Sequence, residues 1–198
     1  MTDYAAHVFD LDGVVRDFAA GDATPVIEAA LGLPAGHVAA TAFRPDLLLP
    51  TITGQRTFDQ WYAAICVALE DAVPEPGRVA EHMVAWREHR GTPIAATVAH
   101  LEALRSAGQR TFVFTNGTDT IPAELRLLGL DHLFDKVLNS AVLGVAKPDP
   151  AAYAATHASI EAHLGHAVAR DRVWFTDDNA DNVGAAREFG WTAEQFTL

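Results

Sequence analysis

The chain has 198 residues, of which 49% are apolar and 20% are charged, a balance typical of a soluble globular protein. Its formal net charge of -12 argues against nonspecific binding to nucleic acid, although a metal or local cations in a cleft leave room for a small anionic substrate. Cys66 is the only cysteine, which excludes an internal disulfide. Because we find neither a secretory signal nor an apolar stretch long enough for a bilayer, we expect a cytoplasmic protein without a membrane partner. These numbers predict no oligomeric state.

Four short runs rich in Val and Phe have the length of buried strands. They are Ala6–Leu11, Arg110–Thr115, Lys136–Asn139 and Arg172–Thr176. Amphipathic helix candidates follow or separate them, in the ranges 95–107, 120–128, 149–164 and from Asn179 or Asp181 to Gly190. This alternation predicts an α/β fold, a Rossmann-like core of three layers with a mostly parallel sheet.

The first two strands are separated by about a hundred residues, far more than one crossover needs. The interval is predicted to be helical, with candidates at Thr24–Leu31, Thr57–Leu69 and Arg78–His89. We therefore expect a core domain of residues 1–17 and 92–198 and a small helical domain of residues 18–91 inserted over the open end of the sheet. A separate N-terminal helical domain is the alternative, and the acidic strand before the interval argues against it.

Two carboxylates, Asp10 and Asp12, stand where the first apolar run ends. If the strand continued, they would emerge on the same face. Burying two acids at close range is costly without a cation or a shared proton. The pair therefore predicts a metal-assisted site, in which one carboxylate is a ligand or nucleophile and the other carries a proton.

Three later segments also follow or lie just beyond predicted strands. Thr115-Asn116-Gly117 offers a hydroxyl, an amide and a flexible backbone for an oxyanion, or it is simply a capped turn. Lys147 precedes a helix and is either a phosphate partner or a solvated lysine. Asp177-Asp178 fits a site for a hard cation and equally a solvated helix N-terminus. Since the carboxyl ends of parallel strands line one crevice, all of these segments can converge.

With these four motifs in this order, the whole chain resembles the haloacid dehalogenase (HAD) superfamily of phosphatases and related phosphotransferases. The insertion looks like the helical cap that the superfamily's first cap class carries after its first motif. The stretch from Asp177 to Asn182 is similar to the branch that contains sugar-phosphate phosphatases and the phosphatase domain of epoxide hydrolases.

The resemblance implies a role for each acid. Asp10 attacks phosphorus and forms an aspartyl-phosphate. Asp12 protonates the leaving group and then activates water, while its backbone carbonyl binds Mg²⁺. Asp178 supplies a further metal ligand and Asp177 supports it, although the order of these two stays open.

The other motifs are implied to hold the phosphoryl group. Thr115 and Asn116, with Gly117, bind phosphate oxygens, and Lys147 offsets the charge on Asp10 and on the phosphoryl group. These roles suit phosphoryl transfer, which needs in-line positioning and charge neutralisation.

The resulting expectation is a magnesium-dependent phosphomonoester hydrolase that acts on a small phosphorylated metabolite, a sugar phosphate being one candidate. A sugar phosphomutase with the same nucleophile is the alternative, and the resemblance argues against it because no His or Lys follows directly after Asp17. A non-catalytic binding protein that keeps the fold is a third hypothesis. Asp12 argues against dehalogenase activity, since the dehalogenase branch lacks this second Asp and a halide needs no proton.

Several other residues bear on the site. Arg44 and Arg56 lie in a segment predicted to select the substrate, against the alternative of solvated surface arginines. Cys66 falls in an apolar helical pattern, so packing is the favoured role. Asp17 is expected to cap a turn or to contact the hinge of the insertion, and Asn182 to brace the acidic pair.

Overall fold

A five-stranded parallel sheet forms the centre of the molecule in the computed structural model, which describes residues 4–75 and 77–197. Numbered along the chain, the strands are β1 (Ala6–Phe9), β2 (Arg16–Asp17), β3 (Thr92–Pro93), β4 (Thr111–Thr115), β5 (Lys136–Asn139), β6 (Val173–Asp177) and β7 (Thr192–Gln195). The order in the sheet is β5-β4-β1-β6-β7, so β1 lies at the centre. Its residues pair in register with β4 on one side and β6 on the other. β2 and β3 form a separate antiparallel pair.

Helices connect the strands throughout the described chain. They are α1 (Thr24–Leu31), α2 (His37–Ala42), α3 (Pro45–Ile52), α4 (Phe58–Glu70), α5 (Val79–His82), α6 (Val84–Glu88), α7 (Ala95–Ser106), α8 (Ile121–Leu127), α9 (Ser140–Leu143), α10 (Pro150–Leu164) and α11 (Ala180–Phe189). Short 3₁₀ turns at Asp131–Leu133 and Arg170–Arg172 lead into β5 and β6.

Local side-chain chemistry sets where several helices begin. Thr57 and Gln60 form a reciprocal capping box at the start of α4. Asp149 and Asn179 each accept a hydrogen bond from the backbone N–H two residues on, at the start of α10 and α11. These caps satisfy backbone donors that the first helical turn leaves unpaired, and they fix the helices directly after the loops that carry the candidate site.

Alternate residues of the strands face opposite helical layers, as the two-residue period of a strand requires. Val8, Phe114 and Phe175 pack with Tyr153 of α10 and Val183 of α11 on one side of the sheet. Phe9 and Val113, together with the turn residue Leu11, pack with Leu101 of α7 and Leu125 of α8 on the other. The predicted α/β fold with a three-layer parallel core is confirmed.

Helices α1 to α6, which lie between β2 and β3, form a helical insertion with its own apolar cluster, which includes Ile27, Trp61, Ile65 and Met83. The lone cysteine, Cys66, is buried in this cluster, as its predicted packing role requires. The β2–β3 pair joins the two ends of the insertion, because Asp17 lies opposite Thr92. The division into two domains at these boundaries stays a prediction.

Two parts of the insertion add to or differ from the sequence analysis. Residues 43–56, the segment predicted to select the substrate, contain α3, because Pro45 occupies the start of a helix, where its missing N–H costs nothing. The single helix predicted for Arg78–His89 is two short helices, separated at Met83, whose ψ of -4° departs from the helical value.

Candidate active site

The predicted motifs meet where the central strands end. Asp10 follows β1, Thr115 ends β4 and Asp177 ends β6, and these are three neighbouring strands. The N–H of Asp10 donates to the carbonyl of Thr176 at 2.9 Å, which extends the pairing of β1 with β6 by one residue. The carboxylates of Asp10 and Asp177 are therefore neighbours because of strand order.

The chain turns sharply after Asp10, so Asp10 and Asp12 do not share a strand face. The carbonyl of Leu11 accepts hydrogen bonds from the N–H groups of Val15 and Arg16, and Gly13 has a φ of +83°. A Cβ on Gly13 would lie only 2.3 Å from Oδ2 of Asp178. Glycine is thus required both for the turn and for the close approach of Asp178.

Lys147 reaches the centre of the site as a buried cation. Its Nζ donates to Oδ1 of Asp10 at 2.8 Å, to Oδ2 of Asp177 at 2.6 Å and to the carbonyl of Phe114 at 2.9 Å. Burial alone would lower the pKa of Lys147, but the charges of Asp10 and Asp177 outweigh it and raise the pKa. The ammonium therefore stays charged, and it is not a solvated surface lysine.

Asp10 is the acid whose protonation is most perturbed. Burial raises its pKa to about 7, with the nearby charge of Asp177 adding to the effect and Lys147 opposing it. A cation beside the carboxylate would favour its ionised form.

Three carboxylates can share such a cation. Asp10, Asp177 and Asp178 each offer an oxygen, and these oxygens lie within 4.8 Å of one another. Hard oxygen donors at this separation are the ligand type that Mg²⁺ takes, so the residues present fit the ion. The side chain of Asp12 is not in this group, which agrees with a proton-carrying role for its carboxyl.

Asp177 and Asp178 have different surroundings. Asp177 is fully buried. Its carboxylate oxygens accept hydrogen bonds from Nζ of Lys147, from the backbone N–H of Asn179 and from Nδ2 of Asn182. Asp178 is exposed, and partial burial together with the charge of Asp177 raises its pKa. Asp178 is thus the acid available at the surface of the site, with Asp177 behind it, and the predicted bracing role of Asn182 is confirmed.

The Thr115-Asn116-Gly117 segment lies beside this cluster, but the Asn116 amide is already engaged. Its Nδ2 donates to the carbonyl of Lys147 and its Oδ1 accepts from the Lys147 N–H, both at 2.8 Å. The Asn116 side chain therefore positions the backbone of Lys147. The predicted contact of Thr115, Asn116 and Gly117 with phosphate oxygens stays a prediction.

Sequence reasoning missed the residues that hold Asp12. Nε of Arg16 donates to Oδ1 of Asp12 at 2.6 Å, and Nη1 donates to Oε2 of Glu124 at 2.8 Å and to the carbonyl of Arg90 at 3.0 Å. Arg16 is only 2% exposed. The sequence did hold a signal for this contact, since Arg16 directly follows the apolar residues Val14 and Val15. An arginine buried among such residues needs acidic partners.

Arg44 and Arg56 are not brought to the site. Arg44 forms an exposed ion pair with Asp46 at 2.7 Å, and Nη1 of Arg56 donates to the carbonyl of Leu47 at 3.2 Å. Neither lines the large cavity described next. Asp17 accepts a hydrogen bond from the N–H of Ala19, so it caps a turn at the hinge strand β2.

A cavity of about 570 Å³ lies between the core and the helical insertion. Its core end is lined by Asp12, Asn116 and Gly117. A small molecule held there would place its reacting end against the candidate catalytic residues.

Comparison with known proteins agrees with this geometry. Residues 4–190 match the model of a family described as "haloacid dehalogenase-like hydrolase". The chain belongs to the haloacid dehalogenase-like hydrolases. It is therefore a HAD-family hydrolase with the family's α/β fold.

Individual HAD relatives differ in their reactions. A phosphatase of Mycobacterium tuberculosis is 40% identical over 95 residues, which are 47% of this chain and 41% of the relative. The (S)-2-haloacid dehalogenase 2 of a Pseudomonas species is 29% identical over 92 residues, or 46% of this chain and 38% of the relative. The matches thus span about two fifths of each curated relative.

A solved structure extends the likeness to nearly the whole chain. The HAD family enzyme from Bacteroides thetaiotaomicron in complex with magnesium and inorganic phosphate covers 97% of this chain and 93% of its own, with a TM-score of 0.71 and 16% identity. This likeness shows the fold. Within the described residues, none of the helices has the length and apolar character needed to cross a membrane.

Proposed function

We propose that this HAD-family hydrolase is a magnesium-dependent phosphomonoester hydrolase that works through an aspartyl-phosphate. The observation that carries the proposal is the cluster of Asp10, Asp177 and Asp178, with carboxylate oxygens within 4.8 Å of one another, and Lys147 bonded to two of the three. It combines a nucleophile, a cation site and a fixed positive charge.

The first step transfers the phosphoryl group to Asp10. A carboxylate oxygen of Asp10 attacks phosphorus while the bond from phosphorus to the ester oxygen breaks, giving the acyl phosphate and an alcohol. The Lys147 ammonium, 2.8 Å from Asp10, stabilises the negative charge that gathers around the transferring group.

The chain also provides a place for Mg²⁺. Asp10, Asp178 and the backbone carbonyl of Asp12 would hold it, with Asp177 supporting them through its bonds to Lys147 and Asn182. When bound, the ion neutralises phosphoryl oxygens and orients them for attack.

Asp12 is positioned to handle the proton. Its carboxyl is 45% exposed and lines the cavity, so a departing alkoxide in that cavity can take a proton from it. Asp12 then accepts a proton from the water that hydrolyses the acyl phosphate. A halide needs no proton on departure, so Asp12 has a task in phosphate-ester hydrolysis that it would lack in dehalogenation.

The test is a product assay on the purified protein with Mg²⁺. We expect inorganic phosphate from a panel of phosphate monoesters, and loss of the signal with EDTA or in Asp10→Asn, which keeps the shape of the side chain but removes the nucleophilic carboxylate. The circular dichroism spectrum of the variant should match that of the parent.

Each alternative predicts a different product. A phosphomutase would yield an isomerised sugar phosphate from a hexose monophosphate, a dehalogenase would release halide from a 2-haloacid, and a binding protein would turn over none of these. Full phosphatase activity in Asp10→Asn would overturn the mechanism.

A further inference from the structure

The cavity beside Asp12 has an apolar wall that the proposed reaction does not itself require. Five aromatic rings line it, those of Phe18, Phe43, Phe58, Trp61 and Trp86. The aliphatic side chains of Leu48, Ile52 and Ile121 complete the wall. All but Ile121 come from the insertion.

Four of these rings, those of Phe43, Phe58, Trp61 and Trp86, form one continuous surface. The Trp61 ring packs edge-on against Phe58 and Trp86, with centroids 6.0 and 5.6 Å away, and lies 6.3 Å from the Phe43 ring. Phe43 is 59% exposed and Phe18 is 38% exposed. Large rings that stay open to solvent beside a candidate active site are typical of a surface that binds an apolar group.

Several polar groups of the insertion that line the cavity are already bonded to the protein. Nε1 of Trp61 donates to the carbonyl of Ala42, and Asp22 accepts from the N–H of Thr24. The ring Nε2 of His89 lies 3.0 Å from the carbonyl of Ala20. A leaving group with many hydroxyls, such as a sugar, would lose its water there and find few new partners.

The charged side chains in the cavity wall leave no surplus positive charge. Arg16 is paired with Asp12 and Glu124, and Arg90 lies 3.6 Å from the same Glu124. With Asp22, which also lines the cavity, three anions face two cations, so the wall has no free cation to hold a second phosphate or a carboxylate. The bound group is therefore expected to carry no negative charge.

We propose that the cavity selects a neutral aromatic alcohol as the leaving group, so that the substrate is an arylalkyl phosphate monoester. This inference rests on the proposed phosphatase function and sharpens it, because it replaces a sugar phosphate by an aromatic ester. The phosphate end lies at the core beside Asp12 and Gly117, and the ring lies against Trp61 and Phe43. A cavity of about 570 Å³ has room for a group with two fused rings.

The test compares two esters of primary alcohols, so that the chemistry at phosphorus is matched. We expect kcat/KM with Mg²⁺ to be at least about 100-fold higher for 2-naphthylmethyl phosphate than for glucose 6-phosphate, because only the former buries apolar area. Phe43→Ala should lower kcat/KM for the naphthylmethyl ester about tenfold, since it removes a ring from the wall.

Leu49→Ala is the matched control. Leu49 is also an exposed apolar residue of the insertion, 53% exposed, but it does not line the cavity. We expect this variant to keep kcat/KM within about twofold, as surface substitutions usually do.

The outcomes separate the two proposals. Equal or faster hydrolysis of glucose 6-phosphate, or an equal effect of Phe43→Ala and Leu49→Ala, would overturn the aromatic selection while the phosphatase function stands. If acetyl phosphate and ethyl phosphate, which need no ring, also release no phosphate, the phosphatase function itself fails and the inference fails with it.

Discussion

The two ends of the cavity differ in chemistry, since one is next to bonded polar groups and the other consists of aromatic rings. Beside the core end, Lys147, Asp177 and Asn116 have polar atoms bonded to other residues of the core, which fixes their positions next to the ends of β4, β1 and β6. At the other end, the insertion presents aromatic rings that stay partly open to solvent, such as that of Phe43. This contrast supports the proposal that the core determines the reaction, through fixed charges, and that the insertion determines which ester fits.

The largest expected effect comes from the residue where the two regions meet. Asp12→Asn should lower kcat/KM about 10²- to 10⁴-fold for an ester of a primary alcohol, since it removes the general acid. For 4-nitrophenyl phosphate, whose leaving group departs without a proton, the loss should stay below about tenfold. Steady-state phosphate release with both esters measures the two effects.

The fold of this variant should persist, because an amide oxygen at position 12 can still accept the Nε–H of Arg16. Asp59→Asn, at an acid on the surface of α4 that pairs with Arg87, controls for loss of a negative charge. An equal loss on both esters would show that Asp12 does not act as the acid.

A smaller effect should separate the two neighbouring acids. Asp178→Asn removes an exposed carboxylate, so we expect the Mg²⁺ concentration for half-maximal activity to rise about tenfold or more and the free energy of unfolding to change by only about 0.5 kcal/mol. Asp177→Asn leaves the buried Lys147 with one carboxylate fewer and should cost about 3–5 kcal/mol of stability. Magnesium titrations and urea unfolding measure these quantities.

If Asp177→Asn proved as stable as the parent while Asp178→Asn unfolded easily, the assignment of the two acids would be reversed. Asp177 would then not belong to the fixed charges of the core, and the contrast between the core and the insertion would not hold.

The core end of the cavity could be predicted from the sequence much better than the insertion. Asp10 and the Asp177-Asp178 pair were found because each follows a short apolar run, and strand order then brings them together. Lys147 was found because it lies just beyond a predicted strand and directly before a helix. The helix caps at Thr57, Asp149 and Asn179 are equally local patterns. The sheet and the carboxylate cluster were therefore accessible from the sequence.

The cavity wall and the partners of Asp12 were not accessible in this way. Phe18, Phe43 and Trp86 lie far apart in the chain and converge only because separate helices of the insertion pack together. Arg16 and Glu124 are separated by 108 positions. No local pattern encodes such contacts, and for that reason the substrate segment was predicted around its arginines.

The smallest expected effect concerns those arginines. Arg44→Ala and Arg56→Ala should each leave kcat/KM within about twofold and leave the melting temperature nearly unchanged, because Arg44 has only an exposed ion pair and neither side chain lines the cavity. Kinetics with the naphthylmethyl ester and thermal unfolding check this. A tenfold fall in kcat/KM for either variant would place that arginine on the substrate, and the division between a charged core end and an apolar wall supplied by the insertion would have to be abandoned.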